Sequence, residues 1–438
     1  MAHPQQFLMS SPPNLFWIST QTNATFNEND SMRNCSYRNG YLYVCGNLRR
    51  TSGVDVAYVG KYNEYGQPIW ERYVSVGSGW YGYPYGIDAD DDGNVYVSVG
   101  RFGSPYYQPA FIVKFNSSGT LQWQRAISTG YWYTYLYDLQ CDSSGNVYAS
   151  GYVNPTAYIG NDRMYVVKFD TSGNLQWTKT YGPNGNSTSI FVERVSGDIY
   201  TSYNNKVSQF NSSGTLQGTI EISGISPGTG SSGDPQGAAV CCVDSSGNIY
   251  VAGRTASFPW TDTYTFKLNS SGTIQWQKKS QIAGTDLHWP NGIGIDANGD
   301  VYICGLNFYR GTSEEIGFAI KYQGSNGNLL WKREFESEDT IFWATHIPVI
   351  DNNLYLVGTS KETGSSQYNA LITKFPADGS LTGTYGNFTW KTMTTTTDSN
   401  SSFTSSTPSI SFGTLGSSSS SSLTVGSYSP TQSIQYLV

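Results

Sequence analysis

A tyrosine returns along this chain at Tyr43, Tyr96, Tyr148, Tyr200, Tyr250, Tyr302 and Tyr355, in steps of 53, 52, 52, 50, 52 and 53 residues. Around each tyrosine stands a similar unit, clearest at Asp142–Thr180. A strand runs into the polar turn Asp142-Ser143-Ser144-Gly145-Asn146, then comes Val147–Gly151, a variable loop, Met164–Phe169, a second polar turn from Asp170 to Asn174, and Leu175–Thr180. Ser, Asp, Asn and Gly between β-branched and aromatic runs is the chemistry of tight hairpins. Each unit is therefore expected to be a four-stranded antiparallel meander.

Two further markers keep the period. A lysine precedes the second turn at Lys61, Lys114, Lys168, Lys267, Lys321 and Lys374, with Gln209 in the fourth copy. A last-strand tryptophan follows at Trp70, Trp123, Trp177, Trp276 and Trp331, replaced by Gly218 and Gly383 in copies four and seven. About fifty residues holding four strands, repeated seven times, is the signature of blades that close radially. The expected fold class is all-β, a seven-bladed β-propeller of four-stranded antiparallel blades, with a Ser/Thr-rich C-terminal extension. The units D-x-x-G-N-[IV]-Y-x-x-G and K-F-x-x-x-G-x-x-x-W resemble those of the bacterial and phage seven-bladed propeller repeat family. That resemblance spans roughly Leu15 to Trp390; it implies a fold and is silent on function, because propellers host many unrelated tasks.

The expected division is a lead-in over 1–13, the propeller over 14–390 and a docking segment over 391–438. Asn14–Thr20 matches Asn174–Thr180 position by position, so a last-type strand arrives ahead of the first full unit. It and Ser380–Gly386 both qualify to close the last blade, and the sequence leaves that choice open. Copy four, lacking its tryptophan and lysine and followed by the long loop Ser223–Pro235, is expected to be the least rigid blade. In 391–438 the Ser/Thr tracts read as low complexity. Ile410-Ser411-Phe412, Leu423-Thr424-Val425 and Ile434-Gln435-Tyr436 nevertheless alternate like short strands. That segment is expected to pair with a neighbouring subunit or with the propeller's own flank.

Only 13% of residues are charged and 15% are aromatic, the make-up of an externally exposed β protein. A net charge of −7 without a basic cluster disfavours a nucleic-acid partner. No apolar run is long enough to span a bilayer. The opening residues lack a secretory pattern, and exterior composition without an export signal points to a virion protein released by lysis. Six dispersed cysteines, without C-x-x-C spacing, read as reduced core residues.

Few motifs carry chemistry. Asp88, Asp90 and Asp92 offer part of a calcium loop, but the residue eleven positions after Asp88 is Val99 rather than Glu, and a plain turn is preferred. Cys241-Cys242 invites comparison with vicinal disulfides of quinone-dependent propellers, yet neighbouring strand residues point to opposite faces. Three scattered histidines assemble no triad or zinc site, and no cofactor is expected.

The loops differ between the two ends of the blades. The hairpins joining strands one to two and three to four are small and polar throughout. The opposite end collects Trp80, Tyr83, Tyr85, Tyr107, Trp132, Tyr133, Trp260, Trp289, Tyr309 and Trp343, which are the candidate ligand-binding residues. Rings of this kind suit the C–H faces of sugars and mark interaction sites, unless they turn inward and plug the mouth. The resulting expectation is a non-enzymatic virion protein on the particle exterior, a phage tail or fibre-associated adhesin or exterior subunit. It would bind a host-surface polysaccharide and join other virion subunits through 391–438. A bacterial secreted or cell-surface carbohydrate-binding propeller is the alternative; a glycan-cleaving or quinone-dependent enzyme comes third.

Overall fold

A computed structural model of the chain describes residues 16–22, 31–49, 54–103, 108–154, 162–181, 187–203, 205–222, 240–254, 262–282, 285–309, 315–336, 339–342, 347–361, 368–385, 388–393, 396–400, 405–406, 417–420, 424–427 and 431–437. These form seven antiparallel sheets in chain order, the blades of a seven-bladed propeller, and contain no helix. Blade 3 shows the plan: Tyr133–Cys141, Val147–Asn154, Arg163–Phe169 and Leu175–Tyr181 pair in sequence from the axis outward.

The repeated residues build this plan in a specific way. Asp142 Oδ1 accepts the Ser144 and Asn146 amides at 3.0 and 2.9 Å, while Oδ2 accepts Asn146 Nδ2 and the Tyr148 hydroxyl at 2.8 and 3.0 Å. The same bonds recur from Asp90 to Tyr96 and from Asp244 to Tyr250. The turn aspartate thus closes the hairpin and anchors the tyrosine that follows six residues later. Inner strands carry a bulge, between Leu136 and Asp138 in blade 3. The bulge drives the Tyr135 carbonyl against Gly151, where a Cβ would stand 1.9 Å from that oxygen. The glycine of Y-x-x-G is required by close approach of the backbone.

Neighbouring blades are stapled by the lysine and the tryptophan. Lys168 Nζ and Trp177 Nε1 both donate to the Ser212 carbonyl in the second turn of blade 4, at 2.9 and 3.1 Å. Lys114 with Trp123 does the same at Thr171, and Lys267 with Trp276 at Gly324. Gly214, at φ +77°, rests on the Trp177 ring. Each staple joins groups some 35–57 residues apart in sequence, so the ring is tied together blade by blade.

The last blade settles the choice left open by the sequence. Phe16–Thr22 is its outer strand, paired with Tyr368–Pro376. Trp17 stands opposite Lys374 in the register that Trp70 holds opposite Lys61. Gly383–Tyr385 is displaced onto blade 6, where it pairs with Phe388–Thr392.

From Phe388 onward the chain retraces the ring in reverse. Phe388–Thr392 adds an outer antiparallel strand to blade 6, Thr396–Asn400 to blade 5 and Ser405–Ser406 to blade 4. Ser417–Ser420 then pairs with blade 2, Thr424–Ser427 with blade 1, and Thr431–Leu437 with Phe16–Thr22 of blade 7. The described parts of the Ser/Thr-rich segment form a belt of short edge strands. Thr suits such strands, and a belt occupies outer edges that would otherwise expose unpaired backbone groups. Ile410–Phe412, Leu423 and the lead-in over 1–13 lie outside the described residues, as does the loop Ser223–Pro235.

Candidate functional site

The innermost strands bring one residue per blade to the axis at the level of the repeated tyrosine. Ser36, Asp88, Gln140, Phe191, Cys242 and Gly294 stand directly opposite Tyr43, Tyr96, Tyr148, Tyr200, Tyr250 and Tyr302. Pro348 completes the ring by accepting the Tyr355 amide through its carbonyl at 3.2 Å. This ring is polar across blades 1 to 3 and apolar, apart from the thiol, across blades 4 to 7. It surrounds a cavity of about 240 Å³, with Arg38 and Arg194 on the polar side and Ile293, Ile295, Ile347, Val349 and Ile350 on the other. Arg38 ends an inner strand beside the Asn39-Gly40 turn, so the cavity lies toward the end that carries the small polar turns.

Asp88 organises the polar side. Its Oδ1 accepts the Ser36 hydroxyl at 2.6 Å, and its Oδ2 accepts the Cys141 amide at 3.0 Å and the Cys141 thiol at 3.3 Å. Arg194 Nη1 stands 3.5 Å from the same oxygen, donates to the Cys141 carbonyl at 2.9 Å, and its Nη2 pairs with Asp91 at 2.7 Å. Burial alone would raise the Asp88 pKa; the Arg38 and Arg194 cations, the Ser36 hydroxyl and the Cys141 amide outweigh it and hold the carboxyl below its ordinary value. The Arg38 side chain, by contrast, makes no hydrogen bond to any described residue, and its Nε is buried without an acceptor. Two guanidinium groups therefore face the cavity beside one buried carboxylate. One guanidinium is fully engaged and the other is not, which favours an anionic group of a ligand.

At the opposite end, candidate rings of blades 2 and 3 pack against their own neighbours. Tyr85 is buried and forms a cluster with Tyr135, Tyr137 and Tyr152, against which Tyr83, Tyr133 and Phe102 pack. The Arg33 guanidinium lies over Tyr83 and Tyr85 at 5.3 and 5.2 Å, and the Tyr83 hydroxyl donates to Asp55 at 2.8 Å. Trp80, Trp132 and Trp289 are half-buried. Arg101 covers Trp80 at 3.6 Å, and Arg254 lies 5.5 Å from Trp289. The rings of blades 2 and 3 thus build a packed mouth. Tyr107, Trp260 and Trp343 lie outside the described residues, as does the side chain of Tyr309.

The acidic run does not gather into one ligand set. Asp88 turns to the axis, while Asp90 closes its own turn and anchors Tyr96. Among the described residues no group of three or more His, Cys, Asp or Glu is placed to hold a metal ion. All six cysteines are free and buried, Cys241 and Cys242 included. Burial raises the pKa of each thiol, that of Cys241 to about 12.

No protein-family model matches the sequence, and none of the curated proteins does. Among solved structures, the phage phi92 endosialidase is similar with a TM-score of 0.47 and 10% identity, covering 82% of this chain and 69% of its own. The polysaccharide lyase Uly1 gives 0.44 and 10%, covering 82% and 91%. A tail fibre of a Staphylococcus aureus phage gives 0.29 and 13%, covering 55% and 49%. These proteins correct one expectation. Two of them are glycan-cleaving enzymes by name, so the exclusion of catalysis does not stand. The physical reason is that a radial scaffold leaves the chemistry to whatever side chains its loops and axis present.

Proposed function

We propose that this chain is an exterior subunit of a virion, in a phage tail or fibre, that engages an acidic surface glycan through the axial cavity. Residues 391–438, whose described strands lie on outer blade edges, would be the surface offered to neighbouring subunits. The observation that carries the glycan reading is Arg38, a cation lining the cavity without a hydrogen-bond acceptor among the described residues. A sugar carboxylate would take that position, hydroxyls would meet the polar arc of Ser36 and Gln140, and a C–H face would lie on Ile293, Ile347 and Val349. The cavity is smaller than the roughly 300–1,000 Å³ of drug-sized sites, which suits one sugar unit of a longer chain.

The test is binding of purified protein to arrayed polysaccharides, acidic beside neutral. Acidic glycans are expected to be retained, and Arg38→Met is expected to weaken binding tenfold or more, the worth of a charge-assisted hydrogen bond of about 1.5–3 kcal/mol. Equal retention of neutral glycans, or an unaffected variant, would refute the site. Following polysaccharide length during the incubation reads cleavage in the same samples. Antibody labelling of particles tests the location: label on the exterior of the tail supports it, and particles without the chain refute it.

A further inference from the structure

Blade 4 lacks the tryptophan staple that ties blades 1, 2, 3, 5 and 6 to the blade that follows. Gln209 stands opposite Gly218 in the register in which Lys168 stands opposite Trp177. The carbonyl that would receive both donors belongs to Ser270 of blade 5, the position matching Ser117 and Ser212 in their turns. Neither the indole nor the ammonium is present to reach it. A Cβ built on Gly218 meets nothing within 4 Å. A cavity of about 220 Å³ lies there, between blades 4 and 5, lined by Tyr200, Val207, Ile220 and Ile249 with Gln209, Ser270 and Ser271 at its polar side. Gly218 and Ser270 are exposed, so the cavity reaches solvent.

We propose that this pocket binds an external indole ring, its N–H donating to the Ser270 carbonyl. Five other blades show the complement of the site. In each, an indole lies under the following blade's second turn and donates Nε1–H to its carbonyl, at 2.9–3.1 Å. The turn backbone of that arrangement persists in blade 4, while the ring and the ammonium are both replaced, by Gly218 and Gln209. Gly272 keeps the left-handed φ of +84° and rests on Ile220 where its counterparts rest on tryptophan. Ile220 takes the ring's place against Gly272, and the space left between it and the Ser270 turn is the cavity. Its volume exceeds the roughly 150 Å³ of an apolar cavity that takes up benzene. In blade 7 the strand that carries the tryptophan in this register comes from a distant segment, since Phe16–Thr22 joins the sheet from the other end of the chain. The indole has two sources, a tryptophan side chain of a partner protein or a free small aromatic, and both present the same chemistry.

The full-length protein is titrated with indole, with N-methylindole and with a tryptophan-centred pentapeptide, following amide shifts and melting temperature. One saturable indole site is expected, with shifts at Gly218–Ile220 and Ser270–Gly272. N-methylindole, which has no N–H, is expected to bind about fivefold more weakly. Gly218→Trp should fill the pocket, raise the melting temperature and abolish the indole site. Peptide binding at least as tight as indole assigns a partner's tryptophan; indole binding alone assigns a small aromatic. Absence of saturable binding, shifts confined to other blades, or a folded Gly218→Trp variant that still binds indole would overturn the proposal. Should that variant misfold, the amide shifts in the unaltered protein decide.

Discussion

The indole of Trp123 donates to the carbonyl of Thr171, 2.9 Å away and 48 residues further along the chain. Lys114 adds its ammonium to the same oxygen at 3.1 Å, so one turn carbonyl of blade 3 takes two donors from blade 2. Contacts of this kind replace the local connections that a solenoid or bundle would use, and the closed ring makes each depend on the others.

Removing one staple should therefore be costly. Trp276 is buried, and its Nε1 donates to Gly324. Trp276→Ala is expected to lower stability by about 3–5 kcal/mol, as for other large-to-small changes at buried aromatics. Lys267→Met, which keeps the stem and loses one donor, should cost about 1 kcal/mol. Urea denaturation of the two variants beside the unaltered protein measures both, and equal costs would contradict the staple.

Acid should weaken the fold through its turn carboxylates. Burial alone would raise the Asp244 pKa, but bonds from Asn248, Tyr250 and Ser246 outweigh it and hold it below the ordinary value. Asp88 is lowered likewise. The unfolded chain then takes up protons first, near pH 3.9 for a free Asp, so stability rises with pH across this window. The contribution is complete above roughly pH 5 and is lost as pH falls through the folded-state values. Melting temperature is expected to drop between roughly pH 5 and 2, with a shallower drop in Asp244→Asn. A flat profile would show that these bonds contribute nothing.

Belt removal is expected to leave a propeller with exposed edges. Ending the chain after Met393 strips the added strands from blades 5, 4, 2, 1 and 7. The outer strands Pro68–Ser75 and Leu121–Ser128 then present unpaired backbone, a template for association between chains. Hydrogen exchange should quicken at Arg72–Ser75 and Arg125–Ser128, and light scattering should show self-association. Unchanged exchange there would mean that the belt does not pair along those edges.

The thiols give a direct report of burial. All six cysteines are free, buried and raised in pKa, so no thiolate is available near neutral pH. A disulfide-exchange reagent is expected to find none in the native protein and six after denaturation. Fast reaction of any native thiol would contradict the packing.

The propeller was legible because its blades are counted: Tyr43 to Tyr355 recur at one period, and the bulge that Gly151 accommodates recurs with them. Closure was not, because Phe16–Thr22 and Gly383–Tyr385 both stand where a last strand is due; the tryptophan that only the first carries, Trp17, is the one found in register with Lys374. The belt was half legible, as alternation without an address. The axial site was hidden by its placement. Arg38 ends the strand before the first turn of blade 1 and Arg194 lies in that of blade 4; both turns depart from the D-x-x-G pattern, and that departure was the available signal. The aromatic loops are a different case: described tyrosines of blades 2 and 3 pack on one another, so an aromatic-rich stretch does not by itself tell a binding ring from a packed one.

The most direct measurement is a crystal structure of the protein soaked with an acidic oligosaccharide. The sugar carboxylate is expected on Arg38 at the axis, with the ring against Ile293 and Val349. Density for the sugar on Trp80 or Trp132 at the opposite end, with the axial cavity unchanged, would contradict it.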